Sequence, residues 1–181
     1  MKRFAGVIVF LLIARGAVCQ DDGPTSVLLK YADAAKNSDA VAISSLMHPE
    51  ALKRAREAFD NAFQGENRER ARTDLLPMFA VSTYEQFADL SDSEVFRRLN
   101  ETVYHATPPE LIEAMTSSKY EVVGQVEQND EVFITYTLTV AIRGQSISQQ
   151  VIQRLKKHDG EWLLMLPASS EASIAAIGAQ Y

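Results

Sequence analysis

Apolar residues between positions 27 and 65 recur every three or four places, the spacing of one buried helix face. This pattern predicts three helices, with the stripes Leu28/Tyr31/Ala32/Ala35, Ala42/Ile43/Leu46/Met47 and Leu52/Ala55/Phe59/Phe63. Ser38 or Asp39 suits the N-cap of the second helix, since a side-chain oxygen there accepts a free amide of the first turn. Pro49 suits the first position of the third helix, and Gly65 ends it.

Residues 66–116 keep a mostly helical pattern, with Pro77 as an interruption. Two capping-box patterns, over residues 91–94 and 107–110, predict two further helix starts. Residues 78–81 form a short apolar run and are predicted as a brief strand. This part of the chain is therefore predicted to add helices to the three that precede it.

At Lys119 the period of the pattern changes from 3.6 to 2. In EVFITYTLTVAIR, residues 131–143, Val132, Ile134 and Tyr136 begin an apolar face that alternates with a hydroxyl-bearing face. Similar strands are predicted over residues 120–128, 146–157 and 161–166, with tight turns at 129–130, 143–145 and 158–160. Such short connections favour antiparallel hairpins, so the four strands are predicted to form a meander in chain order.

Helices followed by a meander predict an α+β fold, with N-terminal helices packed on a curved antiparallel sheet that ends in a four-strand meander. The predicted organisation is a linker over residues 20–26, one α+β domain over 27–166 and a C-terminal tail over 167–181. A weak helix around Ile174 and Ile177 is predicted within that tail, which is expected to be peripheral.

Residues 1–19 have the pattern of a secretory signal peptide. Lys2 and Arg3 precede an apolar run over residues 4–14, which is shorter than the ~20 residues that span a bilayer. A cut between Cys19 and Gln20 would follow a small-residue stretch, and it predicts an exported protein of the periplasm or the extracellular space. The alternative is a lipoprotein in which Cys19 is the acylated first residue.

Charge and cysteine content narrow the classes of function. The chain carries 18 Lys and Arg against 24 Asp and Glu, and loss of Lys2, Arg3 and Arg15 with the leader would leave 15 against 24, a net charge of −9. This balance is unfavourable for nucleic acid. Because Cys19 is the sole cysteine, no intramolecular disulfide can form. No dinucleotide, phosphate-loop, zinc-protease or nucleophile-elbow motif occurs, so neither cofactor nor metal is predicted.

Two end motifs resemble one known family. They are Tyr31-Ala32 … Ala35 … Ser38-Asp39 … Leu46 … His48-Pro49-Glu50 and Asp159-Gly160-Glu161-Trp162-Leu163-Leu164. With the order of elements over residues 25–166, they resemble the nuclear transport factor two-like superfamily, which includes SnoaL-like and cystatin-like cone folds. The resemblance implies a cone between helices and bent sheet, which members use as a catalytic pocket, a ligand pocket or a core. Residues 64–116 depart from it, since helical signals stand where a hairpin is usual.

Enzymes of that superfamily pair a carboxylate with a histidine or tyrosine that faces into the pocket, so the position of each candidate indicates whether it can serve. Asp33 lies off the first helical stripe, three residues from a lysine on either side, and is predicted to be a solvated ion-pair partner. His48 precedes a helix as a cap, His105 lies in a link between helices, and His158 lies in a turn. The pattern therefore favours a protein without catalytic residues.

The predicted ligand-pocket residues are polar groups on apolar faces: Tyr31, Tyr136, Gln149 and Gln153. Gln149 and Gln153 alternate with apolar residues along the third strand, and a buried amide needs a partner. The alternative for these strand residues is a face that curves into water at the end of the sheet.

Three functions are compatible with these observations. The first is an exported, non-catalytic domain that binds a small ligand or an envelope protein. The second is an isomerase, dehydratase or hydrolase that uses Tyr31, His48 or Tyr136 in the cone. The third is a structural module that forms a homodimer through Thr135, Thr137 and Thr139 on the outer sheet face.

Overall fold

Helices precede a single sheet in residues 23–181, the part of the chain that this computed structural model describes. The helices are α1 Pro24–Lys36, α2 Ala40–Ser45, α3 Pro49–Gln64, α4 Arg68–Leu75, α5 Tyr84–Ala88, α6 Asp92–Ala106, α7 Pro109–Thr116 and α8 Ala168–Gly178. The strands are β1 Lys119–Gln128, β2 Glu131–Ile142, β3 Gln145–His158 and β4 Glu161–Leu164. The α+β class is therefore confirmed, while the predicted signal peptide and its cleavage site at Cys19 and Gln20 lie outside the described residues.

The second and third helices begin as predicted, whereas α1 begins at Pro24, inside the predicted linker over residues 20–26, because Pro24 suits the first turn of a helix. Asp39 caps α2, because its Oδ1 accepts the Ala42 N–H at 2.9 Å. Pro49 is the first residue of α3, and His48 before it caps the helix through Nδ1, which accepts the Glu50 N–H at 3.1 Å. None of the helices within residues 23–181 is long and apolar enough to cross a membrane.

The region between α3 and β1 is helical, with one predicted cap confirmed. Ser91 Oγ accepts the Glu94 N–H at 3.2 Å, and Glu94 Oε2 accepts the Ser91 N–H at 3.0 Å, which is a complete capping box. The predicted box over residues 107–110 is wrong. Thr107 Oγ1 instead donates to the Val103 carbonyl at 2.7 Å, and α7 begins at Pro109 without a side-chain cap.

The predicted strand over residues 78–81 is also wrong. Leu76–Phe79 forms a 3₁₀ turn with Pro77 in its first turn, and Ala80 follows in the left-handed region at φ 51°. The segment is apolar because it supplies Phe79, whose ring is fully buried among other aromatic rings. A buried one-turn helix and a short buried strand therefore have the same apolar signature here.

The sheet is an antiparallel meander in the order β1-β2-β3-β4, as predicted. Its hairpins turn through positive φ at Asn129 (59°), Arg143 (51°), Gly144 (77°), Asp159 (51°) and Gly160 (91°). Two consecutive positive φ values in each of the last two loops are the backbone of a type I′ turn, which matches the right-handed twist of the strands. The short loops thus set the register of all three strand pairs.

The opening helices are joined to the last strand by backbone hydrogen bonds. Met47 forms a parallel bridge with Leu164, His48 N–H donates to the Leu164 carbonyl at 2.8 Å, and Leu164 N–H donates to the Leu46 carbonyl at 2.9 Å. This junction positions α2 and α3 against one side of the sheet. The inner strand residues Ile134 and Gln153 face each other across β2 and β3 behind it.

Buried side chains form two clusters. The sheet-side cluster comprises Val27, Leu28, Ala34, Ala35, Ile43, Met47, Ala51, Leu52, Ala55, Phe96, Val132, Ile134, Tyr136, Leu155, Trp162, Leu164, Met165 and Leu166. The helical cluster comprises Phe59, Ala62, Phe63, Ala71, Leu75, Leu76, Phe79, Phe87, Val95 and Leu99. Ile174 of α8 packs against both clusters.

The C-terminal segment forms α8 and is attached more closely than a peripheral tail. Glu171 lies 3.5 Å from the Arg54 guanidinium of α3, and the Tyr181 carbonyl accepts the Asn67 N–H at 3.0 Å. The Tyr181 hydroxyl donates to Asp74 at 3.2 Å. Both ends of the segment are therefore tied to helices that precede the sheet, and α8 is held over the boundary of the two clusters.

Candidate functional site

A cavity of about 410 Å³ lies between α6 and α8 on one side and the ends of β3 and β4 on the other. Its apolar lining consists of Ile43, Met47, Met78, Phe96, Leu99, Val103, Leu164, Met165, Leu166, Pro167, Ile174 and Ile177. Its polar lining consists of Tyr31, Asn100, Gln153, Ser169, Ser170 and Ser173. A mostly apolar hollow of this size with a few polar groups has the character of a small-molecule site.

Gln153 is the most deeply buried polar residue of the lining, with 2% of its surface exposed. Its Nε2 donates to the Met165 carbonyl at 2.6 Å and to the Arg154 carbonyl at 2.9 Å. Because both partners can only accept, the amide orientation is determined by its neighbours. Its Oε1 receives no hydrogen bond from the described residues, so an acceptor remains for a ligand.

Asn100 repeats this arrangement on the opposite wall. It lies one turn after Phe96 in α6, and its Nδ2 donates to the Phe96 carbonyl at 2.8 Å. Its Oδ1 also receives no hydrogen bond from the described part of the chain. Two amide side chains from different elements therefore line one cavity: Gln153 has both N–H groups on backbone carbonyls, whereas Asn100 has one there.

Tyr31 adds a phenol from α1. Burial raises the pKa of Tyr31 far above its ordinary value of 10, and the neighbouring Tyr120, Tyr104 and Tyr136 act in the same direction. The hydroxyl is consequently neutral at physiological pH, where it can both donate and accept. It complements the two amide oxygens without adding charge.

The cavity lining is uncharged. None of the eighteen described residues that line it is Asp, Glu, His, Lys or Arg. In residues 23–181, no group of three or more His, Cys, Asp and Glu side chains is placed to hold a metal ion. The lining can therefore bind by apolar contact and hydrogen bonding, and it holds no acid-base pair.

The structure brings together two of the four predicted pocket residues, Tyr31 and Gln153. Tyr136 lies instead in the sheet-side cluster, where its ring stacks on Tyr120 with 5.5 Å between centroids and burial raises its pKa to about 12. Gln149 is exposed on β3, opposite Leu138, at the end of the sheet that extends beyond the helices. Tyr136 is therefore part of the packed core, and Gln149 is in contact with solvent.

The candidate catalytic residues lie outside the cavity lining. Asp33 and His105 are exposed. His48 is buried, with its Nδ1 occupied by the cap and its ring edge-to-face with His158 at 5.4 Å. Burial lowers the pKa of His48, and the positive charges available on His158 and Lys156 lower it further. These features are those of a structural cap.

Three kinds of lining residue were missed from the sequence. Asn100 lies among Phe96, Leu99 and Val103 of one helical stripe, so a polar residue on an apolar face was the signal. The serines of α8 alternate with Ile174 and Ile177 and could have been found in the same way. Met78 had no signal, because its segment was predicted as a strand.

Comparison of the chain with protein-family models, curated protein sequences and solved structures finds no match.

Proposed function

We propose that the protein is an exported, non-catalytic binding protein that takes a small neutral ligand into the cavity between α6, α8 and the sheet. The observation that carries this proposal is Gln153, a buried amide whose nitrogen is held by Met165 and Arg154 and whose oxygen has no protein donor. A ligand that enters the cavity displaces water from this oxygen, so a ligand that supplies a donor avoids leaving the acceptor unpaired.

The uncharged lining favours binding over catalysis. An enzyme of the isomerase, dehydratase or hydrolase type needs a positioned acid or base with a pKa near the working pH. Tyr31 is the one phenol in the described lining, and its raised pKa makes it a poor base at neutral pH. His48 and Asp33 do not line the cavity. The catalytic alternative therefore has less support than the binding function.

Export is proposed from residues 1–19, whose basic start and apolar run are those of a signal peptide. The mature chain would begin at Gln20 in the periplasm or outside the cell. The alternative, a lipoprotein acylated at Cys19, predicts a mass increase and a membrane fraction. The intact mass of the protein from its source distinguishes the two.

A relationship to the nuclear transport factor two-like superfamily is also proposed. Its support is the order of elements, helices before a four-strand meander, together with the two end motifs of the sequence. The cavity would correspond to the interior of the cone. The helices α4 to α7 would then replace the hairpin usual in that family.

The test of ligand binding is native mass spectrometry of the mature chain, purified gently from its source. We expect a retained small molecule on the wild type. Ser173→Trp, which places an indole against the cavity, should lose it, whereas Ala172→Trp, one position along α8 and exposed, should keep it. A bare wild-type chain, or equal retention by both variants, would contradict the proposal.

A homodimer through the sheet is a second candidate function. The observation in its favour is two large apolar side chains on the same outer face as the threonines: Ile152 (63% exposed), opposite Thr135, and Val126 (67% exposed), opposite Phe133. Exposed apolar side chains next to hydroxyls can form the centre of an interface.

Sedimentation velocity at micromolar concentration tests this second candidate. We expect a dimer that Ile152→Lys dissociates. Ile147→Lys is the matched control, because Ile147 is also exposed on β3 but pairs with Val140 on the other face. A monomeric wild type would remove this candidate and leave the cavity proposal unaffected.

A further inference from the structure

The cavity has a chemical polarity that identifies a class of ligand. We propose that the ligand is an uncharged amphiphile, with an apolar body and one hydroxyl or amide N–H that donates to Gln153 Oε1. This inference rests on the proposed binding function. It adds which ligand group is recognised and which ligands are rejected.

The first step is the direction of the hydrogen bond. Gln153 donates through Nε2 to Met165 at 2.6 Å and to Arg154 at 2.9 Å, so its remaining group is an acceptor. Asn100 donates one N–H to Phe96 at 2.8 Å, so it keeps its acceptor and a second N–H. At Gln153 a ligand group that only accepts would face an oxygen atom, whereas a donor is complementary to Oε1.

The second step is the exclusion of charge. A ligand carboxylate would lose its water and meet the Oε1 of Gln153, which repels it, and the described lining offers no cation to compensate for its desolvation. An ammonium group would be attracted to that oxygen, but the lining offers no carboxylate to compensate for its desolvation. A neutral hydroxyl or amide satisfies the same acceptor at much smaller desolvation cost.

The third step is the apolar body. Three of the chain's five methionines, Met47, Met78 and Met165, line the cavity. Methionine is unbranched and polarisable, and it adapts to ligands of different shape. The cavity should therefore accept apolar bodies of different shapes, and the polar group of the ligand should decide which ligands bind.

The experiment uses four probes with the same eight-carbon chain: 1-octanol, 1-methoxyoctane, octanoate and octylammonium. Dissociation constants are measured at pH 7 by displacement of the neutral fluorophore N-phenyl-1-naphthylamine. We expect 1-octanol to bind about tenfold or more tightly than 1-methoxyoctane, which has no donor, since leaving a buried acceptor unpaired is unfavourable. Both ions should bind more weakly than the alcohol.

Gln153→Met removes the acceptor and keeps the length of the side chain. We expect it to lose most of the preference for 1-octanol over 1-methoxyoctane, with Asn100 Oδ1 as the amide acceptor that remains in the described lining. Gln149→Met, four residues along the same strand and exposed, should keep the wild-type ratio. If Gln153→Met fails to fold, the wild-type ratio of alcohol to ether decides the inference by itself.

The outcomes separate the two proposals. Equal binding of alcohol and ether by the wild type, or tightest binding of either ion, overturns the amphiphile inference and leaves the binding function standing. No binding of any probe or of the fluorophore overturns the amphiphile inference together with the binding site on which it rests.

Discussion

The two buried clusters of this protein differ in how they fill space. The centre of the helical cluster is four phenylalanines without exposed surface, Phe59, Phe63, Phe79 and Phe87. Their rings meet edge-to-face with centroids 4.8 to 4.9 Å apart. The sheet-side cluster instead contributes six residues to the described cavity lining, whereas the helical cluster contributes Leu99 and none of those four rings.

The difference shows how one chain can be both stable and hollow. Edge-to-face rings have specific geometry and add favourable contacts beyond the area they bury. Methionines and amides, by contrast, leave a space whose walls can adapt. We infer that the helical cluster stabilises the fold, and that it supports the cavity wall through α6 and α8, which contact both.

The largest difference in stability is expected between truncation of a ring at the centre of the helical cluster and truncation of a side chain at the cavity wall. Phe63→Ala, at the centre of the rings, should lower the free energy of unfolding by about 3–5 kcal/mol, because a buried ring leaves a large void. Met78→Ala, at the cavity wall, where a partly exposed side chain packs against the outside of the helical cluster, should cost less than about 2 kcal/mol. Urea unfolding measures both, and equal costs would contradict the division into solid and hollow regions.

A ligand should act on the hollow region alone. At a free concentration one hundred times its dissociation constant, 1-octanol should raise the free energy of unfolding by about 2.7 kcal/mol. Phe63→Ala should show the same increment, since it lies in a cluster whose rings do not line the cavity. The measurement is urea unfolding with and without the alcohol at concentrations matched to each affinity. A lost increment in the variant would show that the two regions are coupled.

Arg56 of α3 is hydrogen-bonded to the end of α5 and to the segment between α5 and α6. Its side chain is 15% exposed, donates to the Leu90 carbonyl and to the Ala88 carbonyl at 3.0 Å, and lies 3.2 Å from Asp60. Arg56→Met should cost about 2 kcal/mol, because these acceptors lose a charged donor. Lys53→Met, on the same helix and 68% exposed, is the control and should change stability by less than about 0.5 kcal/mol in urea unfolding.

The smallest expected effect is a pH dependence at the junction of α3 and the sheet. Burial lowers the folded-state pKa of His48, so the unfolded chain binds a proton first as pH falls below about 6.5. The stabilisation by neutral His48 is therefore present above that pH and declines below it, by at most about 1.4 kcal/mol per pH unit for one proton.

Glu50 also lowers the free energy of unfolding as the pH falls, but in a lower pH range than His48. The hydrogen bond from Lys156 and the nearby Arg54 hold its pKa below the ordinary value, so its contribution is lost as pH falls through the folded-state pKa. Urea unfolding from pH 7 to 5 should show a shallower slope for His48→Asn, which can still cap α3. An unchanged slope would contradict the assignment to His48.

Much of the fold was predictable because local chemistry and tertiary packing agree. The stripe of α1, the Asp39 cap and the Pro49 start all follow from spacing and free amides. The wrong predictions occur where tertiary packing, rather than local sequence, determines the backbone conformation. Phe79 enters the helical cluster from a 3₁₀ turn, and an apolar run cannot distinguish that turn from a strand.

The site was predictable only in part, for a related reason. Alternation along a strand identifies a face, and Gln149 and Gln153 share one face of β3. It does not reveal how far the helices cover that face. Gln153 lines the cavity together with residues of α8, whereas Gln149 is exposed to solvent. Tyr136 stacks on Tyr120 in the sheet-side cluster.

The most direct test is methyl NMR of the protein labelled with ¹³C at the methionine methyl groups, titrated with 1-octanol. Met47, Met78 and Met165 line the cavity, and Met115 of α7 is the internal control. The account predicts that the first three signals shift on binding and that the Met115 signal stays in place. Unmoved signals for the three cavity methionines at saturating alcohol, or an equal shift at Met115, would contradict it.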